Sequence, residues 1–541
     1  MARDMKSALN SEELLKKHLE FTKGKVFTRF PPEPNGFLHI GHAKAMRFSF
    51  HSADINGGHC YLRYDDTNPE KETKEFIINI EENVKFLGYK PFKITFASDY
   101  FEQLYDLAVE LIKRGKAYVC HQTKAEVNEY REKKLDSPYR NRSVEENLKL
   151  FRMMREGRFD EKECCLRMKI DMKHNNPCMR DPVAYRIKYV PHPHAGDKWC
   201  IYPTYDYTHC LQDSIENITH SLCTLEFEIR RDSYYWLLEA LDLYRPFVWE
   251  YSRLNLTKNV LSKRRLTTLV NQRYVNGWDD PRLLTINGLR RRGYTSTAIN
   301  NFVDTVGVTR RGNDNLLSIK LLEHCIRQDL DKGANKASRT LAVVDPIKVI
   351  ITNIDTESEI ETPIYPMEKD NTERRKVTLS KVIYIERTDF REKEDNDFFG
   401  LVPGKEVGLK YAGCIKCVNV VKEGDNIKEL HCEYSAESKK TKGRIHWISE
   451  KDALRCEVRL YDYLFMSENP AELEDYTSDI NPNSLVVRNQ SLVHKTLVSE
   501  IKNKKTHYQF ERLGYFVVDK DTDTDAGRLV FNLTVDLGDE K

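Results

Sequence analysis

The sequence predicts a multidomain α/β + β chain: a parallel, doubly wound sheet interrupted by an inserted domain, then a helical region and two C-terminal β-barrels. Three observations carry this reading. Strand-like and helix-like segments alternate over the first hundred residues, as they do when helices connect parallel strands. Beyond Ala342, β-branched stretches such as Ile347 to Ile351 and Val377 to Ile385 alternate with polar turns, which suits barrels. The length of 541 residues corresponds to roughly three to four domains.

Taken in order, Leu14, Leu15 and Leu19 lie at helical spacing and predict a short amphipathic helix over residues 12–20. Lys25 to Arg29 reads as a strand, stopped by Pro31-Pro32, and the tight segment Gly36 to His42 opens a helix through Ala43, Lys44, Ala45 and Met46. A second strand, Cys60 to Tyr64, runs into Asp65-Asp66, and a helix is expected from about Lys71 to Leu87. From Phe101 to Trp199, loop-rich stretches such as Ser137-Pro138-Tyr139-Arg140 and His174 to Pro177 mark the insert. The sheet pattern resumes at Cys200-Ile201-Tyr202, and residues 253–331 are dense in helix formers and Arg. The expected boundaries are an N-terminal extension over 1–24 and two halves of the sheet over 25–100 and 204–252, with the insert at 101–203. A helical region over 253–331 follows, then one barrel from 332–345 and 456–541, and a second over 346–455.

Composition narrows the class. The chain is 40% hydrophobic and 10% aromatic, which fits a soluble globular protein without long disordered tracts. No apolar run approaches the ~18–20 residues that span a bilayer, and the N-terminal stretch lacks a signal-peptide core. A secreted or membrane protein is thereby excluded. Thirteen scattered cysteines, an odd number, point to a reducing compartment such as the cytosol. A net charge of +2 neither demands nor forbids a nucleic-acid partner, because binding faces are local patches. The runs Lys263-Arg264-Arg265 and Arg290-Arg291-Arg292 read equally well as solvated helix faces.

The most informative segment is Arg29-Phe30-Pro31-Pro32-Glu33-Pro34-Asn35-Gly36-Phe37-Leu38-His39-Ile40-Gly41-His42. Strand, tight loop and helix N-terminus together make an anion-friendly unit. Two imidazoles flanking a glycine can aim N–H donors at charge developing on a phosphate, while Gly41 lets a flat base approach. The bland alternative is that His39 and His42 only cap the helix.

This segment resembles the first signature of the class I aminoacyl-tRNA synthetases, and its Pro-Glu-Pro-Asn is similar to the glutaminyl-tRNA synthetases among them. Val260-Leu261-Ser262-Lys263-Arg264 resembles their second signature, where a lysine would neutralise the β and γ phosphates. Further blocks run from Tyr202 to His209, Thr219 to Phe227, Gly277 to Arg282 and Gly288 to Tyr294, so the resemblance extends from about Arg29 to Thr534.

The resemblance implies a Rossmann-type catalytic domain, an acceptor-stem-binding insert and anticodon-binding barrels. It implies a cytoplasmic monomer, open to membership of a larger synthetase complex. With only residues 1–24 before the first strand, the separate N-terminal tRNA-binding domain of many eukaryotic relatives is expected to be absent from this sequence, naturally or by truncation. The substrates would be ATP with Mg²⁺, L-glutamine and tRNA(Gln), joined through glutaminyl-adenylate in a tRNA-dependent first step. Catalysis would fall to His39, His42 and Lys263. The ATP site would comprise Glu33, Pro34, Asn35, His39, Ile40, Gly41, His42, Ala43, Lys44, Ala45, Thr224, Arg253, Leu254, Leu261, Ser262 and Lys263. Arg29 would face the amino acid, Asp65 would hold its ammonium and Tyr205 would read its side-chain amide beside Cys223. Arg339, Gln509 and Arg512 would meet the anticodon.

The chemistry of these residue types agrees, since a carboxylate pairs an ammonium and a neutral hydroxyl suits a carboxamide. The bland readings are a helix N-cap for Asp65 and a core tyrosine for Tyr205. Glutamate-charging relatives typically carry Ala-Ser in place of Pro34-Asn35 and an arginine in place of Cys223, so a neutral Cys223 favours glutamine. The chain departs from the family pattern at Val248, Asp397, Phe399, Gly400 and Leu533, and an aromatic at Phe398 or Phe399 could stack on a splayed base. A glutamate-specific enzyme, a non-catalytic RNA-binding paralogue and a small-molecule nucleotidyltransferase are the other readings. No structural zinc is expected: Cys414-Ile415-Lys416-Cys417 is a lone Cys-x-x-Cys, and its alternation suits a strand.

Overall fold

The computed structural model describes residues 8–310, 316–368, 370–395, 397–437 and 441–538. It divides into two compact units, Met1–Asn255 with Val303–Leu316, and Leu256–Phe302 with Leu317–Lys541.

The first unit opens with α1 (Glu12–Thr22), capped by Ser11 accepting from Leu14 N, with Glu12 and Glu13 in its first turn. Three strands, β1 (Phe27–Phe30), β2 (His59–Tyr64) and β3 (Ile94–Phe96), pair in parallel in that order. They are connected by α2 (Ile40–Asp54) and by α3 (Lys74–Phe86), the latter capped by Thr73. The chain then builds an insert from α4 (Phe101–Lys113), β4 (Ala117–Cys120), α5 (Lys124–Glu132) and α6 (Val144–Arg155). The insert is completed by β5 (Cys165–Met168), β6 (Val183–Ile187) and β7 (Ile201–Pro203), and its four strands form one antiparallel sheet. One expectation needs correcting here. Residues 200–202 do not resume the parallel sheet, because Ile201 and Tyr202 pair antiparallel with Ile187 and Arg186.

The parallel pattern returns only after α7 (Tyr205–Ile215), with β8 (His220–Thr224), α8 (Arg231–Ala240) and β9 (Phe247–Tyr251). β8 runs beside β1: Thr219 N donates to Phe27 O at 2.9 Å, and Phe27 N to Thr219 Oγ1 at 2.8 Å. The strand sequence across the unit is therefore β3–β2–β1–β8–β9. Chain order reverses between β1 and β8, and such a switch opens a crevice beyond the carboxyl ends of the strands. Packing fixes it there. Every residue of α7 from Tyr207 to Ser214 is buried, against a core that includes Phe101, Leu104, Tyr185, Leu237 and Leu238.

In the second unit, the helices Lys263–Asn271, Ile286–Arg292 and Lys320–Lys332 precede two seven-stranded barrels. The chain enters one barrel with Ser338–Thr340 and Ala342–Val343 and leaves for the second over Pro346–Ile351 to Trp447–Ser449. It returns to the first with Ala453–Tyr461. Trp447, Ile347 and Val349 centre one core, Tyr508, Phe510 and Phe531 the other. Gly293 shows how tightly the helices seat on a barrel: a Cβ there would lie 2.3 Å from Thr534 Oγ1, and its φ of +99° already favours glycine.

Candidate active site

The crevice at the switch point collects Pro32–Asn35 after β1, Asp65 after β2, and Cys223 and Thr224 at the end of β8. At its mouth, α2 begins with reciprocal caps. His39 Nδ1 accepts from Gly41 N and His42 Nδ1 accepts from His39 N, both at 3.1 Å. Burial, with Arg253 close by, pushes His42 down to about 4 and His39 well below its usual range, so both rings are neutral. A neutral ring whose Nδ1 accepts must carry its proton on Nε2. The bland and functional readings therefore coincide: capping fixes the tautomer, and the tautomer leaves an Nε2–H donor on each ring. A Cβ at Gly41 would fall 2.8 Å from His39 Cε1, so the glycine makes room for the capping ring itself.

The other first-signature residues divide by exposure. Glu33 is exposed and accepts from Asn35 Nδ2 at 2.5 Å, and the carbonyl of Pro34 takes Thr73 N. Ile40 and Ala43 are fully buried beneath the helix, and Ala45 is half-buried. Lys44 turns inward, and its ammonium donates to Ser252 O at 2.9 Å. Leu254 is buried, whereas Arg253 is half-exposed and paired with Glu226. Leu261, Ser262 and Lys263 belong to the second unit. Ser262 and Lys263 are exposed there, at the start of the helix Lys263–Asn271.

Deeper in the crevice lies a buried network that sequence reasoning missed. Arg29 Nε donates to Asp213 Oδ1 at 2.9 Å, and Arg63 reaches Asp213 Oδ1 at 2.5 Å and Glu216 Oε2 at 2.8 Å. Two guanidinium groups and two carboxylates balance to zero. The two arginines hold the Asp213 carboxyl far below its ordinary range. Arg29 also donates to Leu222 O, Ser221 Oγ and His209 Nε2, so it props up the pocket wall and presents no free fork to a ligand. Since a guanidinium only donates, His209 Nε2 accepts, and the ring proton sits on Nδ1. That Nδ1–H meets the Tyr205 phenol oxygen at 3.1 Å, which leaves the Tyr205 proton to donate outward. Cys223 Sγ stands 3.6 Å from Arg29 Nη2, and burial keeps it a neutral thiol.

The opposite wall is acidic. Asp65 accepts from Thr67 Oγ1 at 3.2 Å and makes no ion pair among the described residues. It caps no helix, since α3 is capped by Thr73. Burial, reinforced by Glu33, pushes its carboxyl up to about 7, and burial raises Asp66 and Glu72 to about 8. Asp66 is held by Ser98 N and Oγ, at 2.9 and 2.5 Å, while Glu72 Oε2 is buried without a hydrogen-bond partner, 3.7 Å from His192 Nε2. Buried carboxylates that make no ion pair with Lys or Arg suit a cationic ligand.

In the second unit, Arg339 and Gln509 stand opposite each other in a parallel strand pair and line one narrow cavity with Tyr365 and Met367. Arg512 does not line it. Its guanidinium forks onto Asp389 at 2.6 and 2.9 Å, linking the two barrels. Of the basic runs, Arg264 and Arg290 are exposed, whereas Arg291 reaches Asp519 and Asp521, and Arg292 caps the carbonyls of Tyr461 and Thr534. Gly400 has a local reason: a Cβ would lie 2.3 Å from Asp389 O, leaving no space for a longer residue. Phe398 is covered by Arg391 and Phe399 is exposed, as is Asp397. Val248 lies within β9 opposite Ser221, and Leu533 packs into a barrel core. Cys417 faces Cys432 across a strand pair, and no group of three potential ligands is placed to hold a metal among the described residues.

Comparison with known proteins gives three consecutive family matches. Residues 25–332 match the catalytic domain of class I tRNA synthetases (E and Q), and residues 337–435 and 444–519 match two anticodon-binding domains of the same class. A probable glutamine–tRNA ligase of Dictyostelium discoideum is 57% identical over 98% of this chain and 68% of its own length. A cytoplasmic glutamine–tRNA ligase of Arabidopsis thaliana is 56% identical over 98% of this chain and 67% of its own. The glutamine–tRNA ligase of Proteus mirabilis is 48% identical over 95% and 94%.

Proposed function

The chain belongs to the class I tRNA synthetases of the glutamate and glutamine type, and we infer from this that it is a glutamine–tRNA ligase. ATP and L-glutamine give glutaminyl-adenylate and diphosphate, and the terminal ribose of tRNA(Gln) then takes the glutaminyl group and releases AMP. The observation that carries glutamine over glutamate is the charge balance around the side-chain pocket. Arg29 and Arg63 are cancelled by Asp213 and Glu216, and the remaining wall is a thiol and a phenol. A glutamate carboxylate would meet no surplus cation there and would be buried unpaired. An amide oxygen, by contrast, accepts the outward proton of Tyr205.

At the other end, Asp65 receives the substrate ammonium. The Nε2–H donors of His39 and His42, with Arg253, face the charge that develops on the nucleotide phosphates, and the resemblance assigns the same task to Lys263. Because the donors are fixed by helix caps before substrate arrives, catalysis is largely positioning. Magnesium enters with ATP as part of the substrate. The insert is assigned to the acceptor stem. In the barrels Arg339 and Gln509 are assigned to the anticodon, with Phe399 as a stacking platform. One plant relative is named cytoplasmic, no helix among the described residues is long and apolar enough to cross a membrane, and we place the chain in the cytoplasm as a monomer.

The test is ATP–diphosphate exchange with glutamine or glutamate, each with and without tRNA(Gln). Exchange with glutamine, dependent on tRNA, is expected; exchange with glutamate would overturn the pocket reading. Removing the exposed ring in Phe399→Ala should raise the Michaelis constant for tRNA about fivefold or more, the scale of one lost base stack.

A further inference from the structure

One cation in the head-group end of the crevice has no role in the reaction as derived so far. Arg186 lies on β6, at the edge where the insert meets the loop after β2. Its Nη2 donates to Thr67 O at 3.2 Å, its Nε is buried with no hydrogen-bond partner, and the guanidinium makes no ion pair among the described residues. The carboxylates around it are engaged elsewhere or turned away. Glu70 takes Lys188 at 2.6 Å, Glu72 Oε1 takes Asn68 N at 2.8 Å, and Asp65 takes the Thr67 hydroxyl. Thr67 thus holds Arg186 by its carbonyl and Asp65 by its side chain, two opposite charges on one residue that do not bond each other. Arg186 is nonetheless close enough to draw the Asp65 carboxyl downward against its burial. A desolvated donor left unpaired is costly and calls for an acceptor supplied from outside.

We propose that Arg186 is the anion-holding residue of this crevice, offering its guanidinium to a carboxylate or phosphate oxygen that sits beside the ammonium on Asp65. The proposal rests on the reading of Asp65 given above. Two sources carry that chemistry: the α-carboxylate of glutamine, which completes a zwitterion across Asp65 and Arg186, and a backbone phosphate of the tRNA 3′ end, which the insert is assigned to bind. A guanidinium suits either, because its planar fork matches both groups.

The experiment is steady-state aminoacylation by the intact chain carrying Arg186→Gln, Arg186→Lys or Asp65→Asn, with Michaelis constants for glutamine and for tRNA measured separately. Inhibition by L-glutaminol, which lacks the carboxylate, is measured alongside. If the α-carboxylate is the partner, Arg186→Gln raises the glutamine constant at least tenfold and leaves the tRNA constant and glutaminol inhibition unchanged, and Arg186→Lys recovers part of the loss. If a phosphate is the partner, the tRNA constant rises instead. Both constants within twofold of the unaltered chain would reduce Arg186 to a pin for β6 and overturn the proposal. Should the Gln variant unfold, the Lys variant carries the same measurement, where a displaced charge shifts one constant at least threefold and no shift overturns the proposal. An Asp65→Asn variant with an unchanged glutamine constant would instead remove the reading on which the proposal rests, whatever Arg186 does.

Discussion

The two ends of the amino-acid crevice are built by opposite rules. At the side-chain end four buried charges cancel, and the donors of Arg29 are used within the protein. At the head-group end Asp65, Asp66 and Glu72 are buried with no Lys or Arg ion pair, Arg186 stands nearby without bonding any of them, and one oxygen of Glu72 has no hydrogen-bond partner. The first arrangement is complete in the free protein, so under the proposed function it suits a neutral group. The second is incomplete, and the ligand's own charge completes it. Selectivity and affinity are thus assigned to different walls of one crevice.

The largest expected effect breaks the balanced wall. Asp213→Asn leaves Arg63 with Glu216 and strips Arg29 of its carboxylate, and loss of one partner from a buried pair costs about 3–5 kcal/mol. Urea unfolding of the first unit's transition measures this, and the surplus positive charge should also narrow the preference for glutamine over glutamate in diphosphate exchange. An unchanged midpoint would mean that the network is not stabilising in the folded chain.

Asp65→Asn tests the incomplete wall. Losing a charge-assisted hydrogen bond of about 1.5–3 kcal/mol should lower kcat/KM for glutamine roughly tenfold to a hundredfold. The pH dependence has a definite sign. With the Asp65 carboxyl at about 7, protons compete with the ammonium below that value, so glutamine affinity should climb by up to about tenfold per pH unit toward 7 and then level off. Calorimetric titration should show the climb in the unaltered chain and a flat profile in Asp65→Asn. The same raised carboxyl makes the substrate-free fold less stable as pH rises from about 4 to 7, and glutamine should offset this.

Tyr205→Phe is the mildest change. The ring stays stacked on His209 while the outward donor disappears, so about 0.5–1.5 kcal/mol of a neutral hydrogen bond is lost. The Michaelis constant for glutamine should rise roughly threefold to tenfold. A much larger loss would mean that the phenol also organises the His209–Arg29 chain.

Much of this was legible in the sequence where the cause is local. Two histidines around a glycine after a strand announce a capped helix at the sheet edge, and Asp65 follows directly from a strand that ends. The charge-balancing network was not legible, because Asp213 and Glu216 lie some 184 and 153 residues from the arginines they meet. Their signal was present all the same. A helix that is apolar around Tyr207, Cys210 and Leu211 yet carries Asp213 must, once buried, pair that carboxylate with something distant. The strand at 201–203 is ambiguous for another reason: its apolar run is equally compatible with a parallel interior and an antiparallel edge, and only its partner decides. Arg291 and Arg292 are equally compatible with a solvated face and a partner, and only the barrel carboxylates and carbonyls they reach decide.

The fork between Arg512 and Asp389 has a consequence for how RNA binding would respond to salt. A free surface arginine that takes a phosphate displaces a condensed cation from the RNA, and each such contact steepens the fall of affinity with ionic strength. Arg512 is already neutralised by a carboxylate of the neighbouring barrel. A phosphate arriving there would free the Asp389 carboxylate to gather a cation of its own, offsetting the one the RNA releases, so the exchange is nearly blind to dissolved salt. The anticodon end of this protein should therefore hold RNA with a shallower salt dependence than its count of arginines implies.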